Sequence, residues 1–156
     1  MRYLEDFAVG DRIPTPSAHM SEADTVAFAE RFDPQPMHTD PDAAAIGPLK
    51  GLSASGWHTT AVVMSLIVAA KPLDGEPILG MGVDELRWPT PVRPGDTISA
   101  ELEVVSITPS RSRPTHGVVR IHVTARNQKG EVVLSMYPNL WVPRRGCPSP
   151  AETQRR

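Results

Sequence analysis

Apolar positions along the chain follow helix-like spacing up to about residue 70 and strand-like alternation after it. Residues 7–11 read as a turn leading into an extended stretch, Arg12 to His19. Ser21 stands where a helix N-cap is favoured, with Glu22 and Asp24 in the first turn and Phe28 and Phe32 four apart on one face. That pattern predicts a short amphipathic helix over 22–32. Asp40 with Pro41 behind it predicts a second short helix, which Gly47-Pro48 stops. From Gly51 or Leu52 to about Ala70 runs the longest helical segment. Its first half is small and polar, and its second half, from Ala61 through Val68, is apolar nearly all round. An all-round apolar helix predicts burial.

Beyond Pro72 the period changes to two. Residues 78–88 predict a strand interrupted by Gly80 and Gly82, and Arg93-Pro94-Gly95-Asp96 predicts a turn. Ile98, Ala100, Leu102 and Val104 alternate with polar neighbours, as do Val119, Ile121, Val123 and Ala125. A final strand is expected from Glu131 to Val142 despite Pro138, which an edge or a bulge tolerates. Small helices, one buried helix and then a meander of long strands predict an α+β domain with an antiparallel sheet wrapped around a central helix. Residues 1–143 read as one domain, and residues 144–156 as a polar, disordered tail.

Composition adds little beyond exclusions. With 156 residues, 40% hydrophobic and 22% charged, the chain is long enough for a single sizeable core. A formal net charge of -2 gives no reason to expect nucleic acid or an anionic membrane as partner. The lone Cys147 leaves neither a disulfide framework nor a Cys-based metal site, and no metal is expected. A cytoplasmic setting fits that chemistry and the absence of a signal-like stretch at residues 1–6. The segment 51–70 contains His58 and several hydroxyl residues, too polar for a membrane span.

The chemistry concentrates in Asp33-Pro34-Gln35-Pro36-Met37-His38-Thr39-Asp40. Two groups able to move protons, Asp33 and His38, stand five positions apart with two prolines between them. Each proline fixes its own φ and disfavours the helical region for the residue before it, so the segment is stiff. Stiffness suits a positioned acid/base pair, because a small misplacement costs a large factor in rate. On spacing alone, helix termination by Asp-Pro and Gln-Pro explains the same residues.

This segment resembles the Asp-x-Asn-Pro-x-His-x-Asp signature of MaoC-like, (R)-specific enoyl-CoA hydratases, which have the hot-dog fold. Lys50-Gly51-Leu52 is similar to the family's His-Gly-(Leu/Met) at the start of its central helix. Residues 91–97, Pro-Val-Arg-Pro-Gly-Asp-Thr, resemble a turn these proteins carry between two strands. The likeness runs from about Phe7 to Val142. Two departures stand out: Gln35 replaces the usual Asn, and Lys50 replaces the usual His.

The resemblance implies reversible hydration of a trans-2-enoyl thioester, or dehydration of a 3-hydroxyacyl thioester. It assigns the proton transfers to Asp33 and His38, in an order the residues leave open. It makes the Gly51 N–H at the helix start an oxyanion donor. Gln35 orients the pair or its water, and Ser55, His58 and Thr59 line the acyl pocket. Lys50, beside the oxyanion glycine, points to an acidic acyl group. No cofactor is expected beyond the coenzyme A or acyl-carrier portion of the substrate, and a homodimer or a multiple of one is the expected assembly. A hot-dog thioesterase and a non-catalytic acyl-thioester binding protein remain the alternatives. The former usually needs a carboxylate on the central helix, and 51–70 has no Asp or Glu.

Overall fold

The computed structural model describes residues 1–146. After a short 3-10 helix (Leu4–Asp6) come strand β1 (Arg12–His19), helix α1 (Glu22–Phe32), the one-turn helix α2 (Pro36–Thr39) and helix α3 (Pro41–Ile46). The long helix α4 (Gly56–Ala69) follows, and then strands β2 (Leu79–Arg87), β3 (Thr97–Pro109), β4 (His116–Arg126) and β5 (Val132–Pro143). The strands form one antiparallel sheet in the order β1-β3-β4-β5-β2. This differs from a plain meander, because β2 pairs with β5 and forms the far edge. Pro14 and Pro16 lie in β1, the other edge, where a missing N–H costs no ladder bond on the open side.

Alternation in the long strands places the core. Ile98, Ala100, Leu102 and Val104 of β3 and Val119, Ile121, Val123 and Ala125 of β4 are all buried. Val63, Leu66 and Ile67 of α4 pack into the same cluster. The sheet curls round α4, the arrangement of a hot-dog fold.

Several sequence expectations change in three dimensions. α4 begins five residues later than its apolar run suggests, with Ser55 as N-cap accepting a hydrogen bond from the Trp57 N–H. Lys50 and Gly51 both have positive φ, 54° and 145°, which breaks any helix there. Residues 51–55 bond sideways instead: the Gly51 N–H to the Ala44 carbonyl, Ser53 to Met37, and Ala54 to Val92. In α1 the buried side chains are Thr25 and Ala29, while Phe32 is exposed. α4 is not buried all round within one chain, for Trp57, Met64 and Val68 are exposed. The expected tail starts ordered: Arg144 pairs with Glu5 at 3.1 Å and Arg145 pairs with Asp6. The rest of that expected tail, and Cys147 with it, lies outside the described residues. No helix among the described residues is long and apolar enough to cross a membrane.

Gly56, the first residue of α4, is closely covered by the Trp88 indole; a Cβ there would sit 2.5 Å from the ring. That ring is held in place by a 3.1 Å bond from its Nε1–H to Thr60 Oγ1 and by an edge contact with Trp57. Gly56→Ala is therefore expected to destabilise the protein by about 1–3 kcal/mol through overpacking. A lower Tm together with altered tryptophan fluorescence checks this; an unchanged Tm would show that the indole yields freely.

Candidate active site

Asp33 is the C-cap of α1, where the chain leaves the helix with φ -153° and ψ 65°. Two residues on, Gln35 is extended and Pro36 opens α2 at the position where a missing N–H costs nothing. One turn of helix then carries His38 back towards Asp33. His38 Nε2 lies 3.5 Å from Asp33 Oδ2. Its Nδ1 is 2.7 Å from the Ser53 carbonyl oxygen. A carbonyl can only accept, so Nδ1 carries the proton, and Nε2 of the neutral ring presents a lone pair towards the carboxylate. His38 is buried and Asp33 partly so.

Both oxygens of Asp33 accept hydrogen bonds. Gln35 Nε2 donates to Oδ1 at 2.7 Å, and Ser55 Oγ donates to Oδ2 at 2.7 Å. The Ser55 bond first and the Gln35 bond second hold the Asp33 carboxyl below the usual carboxylate range, against a smaller opposing effect of burial. Asp33 is thus an anion at neutral pH.

The pair opens onto a chamber of about 480 Å³ whose walls include Met37, Leu49, Thr59, Trp57, Trp88 and Val133. Gly56, at the N-terminus of α4, also lines it. Among the described residues the Gly56 N–H makes no hydrogen bond, as expected for a first-turn amide. The chamber wall therefore carries both the Asp33–His38 pair and the first residue of α4, at the positive end of a helix dipole.

The other expected site residues divide. Thr59 is buried and lines the chamber. Gly51 does not start a helix, and its N–H is taken up by Ala44 at 2.9 Å, so it is not the free donor the family likeness suggested. Lys50 is exposed on the loop outside the chamber walls, which removes the basis for an acidic acyl group. Ser55 is fully buried behind Asp33 and forms no part of the chamber wall. His58 turns away from the chamber and stacks on Phe28 with ring centres 4.7 Å apart. Its Nδ1 is buried without a partner, and burial holds the imidazole below its ordinary value, offset in part by Asp24.

Arg93 has a structural role that sequence reasoning missed. Its guanidinium donates from Nη1 to the carbonyls of Gly51 (2.7 Å) and Leu52 (3.1 Å), and from Nη2 to that of Leu49. Its backbone N–H is held by Asp96 in the Arg-Pro-Gly-Asp turn. The turn was legible, but nothing in it signalled where the side chain would reach. Arg111 and Arg113 line a separate groove of about 730 Å³ with Leu79 and Trp141, and no member of the pair takes part in it.

Comparison with known proteins places the chain in a family. Residues 6–127 match the MaoC like domain family. The uncharacterized protein YdeM of Bacillus subtilis is 31% identical over 126 residues, covering 81% of this chain and 88% of that protein. A 3-hydroxybutyryl-CoA dehydratase of Methylorubrum extorquens is 30% identical, over 71% of this chain and 69% of that one. The crystal structure of a MaoC-like dehydratase from Rhodospirillum rubrum superposes with a TM-score of 0.89 at 44% identity, covering 94% of this chain and all of that one. Two longer curated relatives match over only 22% and 30% of their own length. With a family match across most of the chain and the fold in agreement, the protein belongs to the MaoC-like dehydratase family of hot-dog proteins.

Proposed function

We propose that the protein reversibly hydrates a trans-2-enoyl-CoA thioester, or dehydrates the corresponding 3-hydroxyacyl-CoA. The observation that carries this reading is the Asp33–His38 pair, 3.5 Å apart and facing a chamber that Gly56, the first residue of α4, also lines. A water held between Asp33 Oδ2 and His38 Nε2 attacks C3 of the enoyl group. His38 Nε2 takes the proton, because imidazole is the side chain suited to that transfer near neutral pH. Asp33, doubly hydrogen-bonded and anionic, is a weak base; it orients the water and stabilises the imidazolium. As the C2=C3 bond is consumed, charge moves to the thioester oxygen, where the Gly56 N–H receives it. The imidazolium proton then passes to C2. Water is added across the double bond, with no change of oxidation level and no cofactor beyond the substrate's own coenzyme A.

An assembly of two copies fits the surface left open. β2 is an edge strand exposed on both faces, with Leu79, Met81 and Val83 all at least half exposed. Beside it α4 presents Trp57, Ala61, Met64 and Val68, spaced 4, 3 and 4 apart along one stripe. Between them lies an apolar cavity of about 320 Å³ reaching Met136 and Leu140. An uncovered apolar edge of this kind is a liability in a monomer. A second copy pairing β2 to β2 in antiparallel fashion covers it with the same surface twice.

Loss of enoyl-thioester absorbance over a panel of enoyl-CoA substrates tests the activity. Asp33→Asn and His38→Gln are each expected to lower kcat by roughly 10²- to 10⁴-fold without loss of fold. Because the Asp33 carboxyl is held below the usual carboxylate range, it should stay ionised, and keep its water-orienting role, as pH falls through that range, which ¹³C NMR titration of the carboxyl checks. Release of free coenzyme A without hydration would favour a thioesterase instead. Light scattering tests the assembly: the wild type should be a dimer or a multiple of one, and Met64→Asp with Val83→Asp should yield monomers. A monomeric wild type would rule the assembly out.

A further inference from the structure

Ser55 performs two tasks with one oxygen. As N-cap of α4 it accepts the Trp57 N–H at 3.2 Å, which any capping acceptor would do. Its single proton goes elsewhere, to Asp33 Oδ2 at 2.7 Å. The two residues are 22 apart in the chain, and the hydroxyl joins the end of α1 to the beginning of α4. Oδ2 is also the oxygen that faces His38 Nε2. With Gln35 on Oδ1 and Ser55 on Oδ2, rotation of the carboxylate about its Cβ–Cγ bond would break both hydrogen bonds.

We infer that Ser55 is a positioning residue for the hydration step: its hydroxyl sets the Asp33 carboxylate at a fixed distance from both the His38 imidazole and the first turn of α4. Ser55 is fully buried and does not line the chamber, so it acts through Asp33 and touches no substrate. The helix turn that presents the Gly56 N–H and the carboxylate that holds the water are thereby referenced to one atom. Base, water and oxyanion donor keep their relative positions even though they come from three separate segments. This inference rests on the hydratase reading for its kinetic consequence, though not for its structural one.

The experiment uses Ser55→Ala, Ser55→Gly and Ser55→Thr in the full chain. Glycine is tolerated at an N-cap at little cost, so the glycine variant removes the hydroxyl while sparing the helix start should the alanine variant fold poorly. The Asp33 carboxyl is titrated by ¹³C NMR, assigned with Asp33→Asn, with no substrate present. Losing the Ser55 bond removes the largest influence holding the carboxyl down, so its midpoint should move to higher pH in Ser55→Gly and return in Ser55→Thr. In turnover, Ser55→Gly should lose about 10- to 100-fold in kcat with KM nearly unchanged, since misplacement by a fraction of an ångström has that scale. In the Asp33→Asn background the same change should cost little further. An unmoved Asp33 titration in a folded Ser55→Gly, a rise in KM alone, or full additivity with Asp33→Asn would each overturn the positioning role. Should the wild type hydrate no substrate, the hydratase reading falls and the titration still decides whether Ser55 sets Asp33.

Discussion

The site depends on the refusal of residues 49–55 to be helical. Arg93 draws the carbonyls of Leu49, Gly51 and Leu52 to one guanidinium, and three carbonyls that converge on a point cannot lie along a helix axis. The positive φ of Lys50 and Gly51 is the backbone expression of the same constraint. Because the segment is held extended, the Ser53 carbonyl is free to accept from His38 Nδ1, and α4 starts at Gly56 beside the pair. A helix that began at Gly51 would have tied up that carbonyl and carried its positive end away from Asp33.

Polarity in the site fixes the tautomer of one member and the charge of the other. The Ser53 carbonyl selects the tautomer of His38, and two donors select the anion of Asp33. The 3.5 Å between Nε2 and Oδ2 is longer than a good direct hydrogen bond, leaving both groups able to engage a third. The indole of Trp88 covers Gly56 on the chamber side, so the absence of a side chain at residue 56 is what lets apolar cover and a backbone donor share one small space.

The second constraint is the incomplete burial of apolar surface. A curled sheet hides one stripe of α4, through Val63, Leu66 and Ile67. It leaves the opposite stripe and all of β2 but Leu86 exposed. Trp57 belongs to both the exposed stripe and the chamber wall, so whatever covers the stripe also bears on the shape of the site.

The sequence by itself determined the local and periodic features. Alternation along β3 and β4 foretold which side chains face the helix, Ser21 and Asp40 marked helix starts that each makes with its own backbone contacts, and the prolines marked a stiff segment between Asp33 and His38. These were readable because they rest on interactions within a few residues or on a simple period. The tertiary structure alone decided the partner of β2, the start of α4, the replacement of Gly51 by Gly56 as the free donor, and the turning of His58 and Lys50 away from the chamber. Each of those depends on a contact between residues far apart in the chain: Arg93 with 49–52, Ser55 with Asp33, Trp88 with Gly56, Phe28 with His58. An apolar run cannot announce that its first turn will be pulled straight by an arginine some forty residues later. Folding supplied that bond, and with it the position of the site.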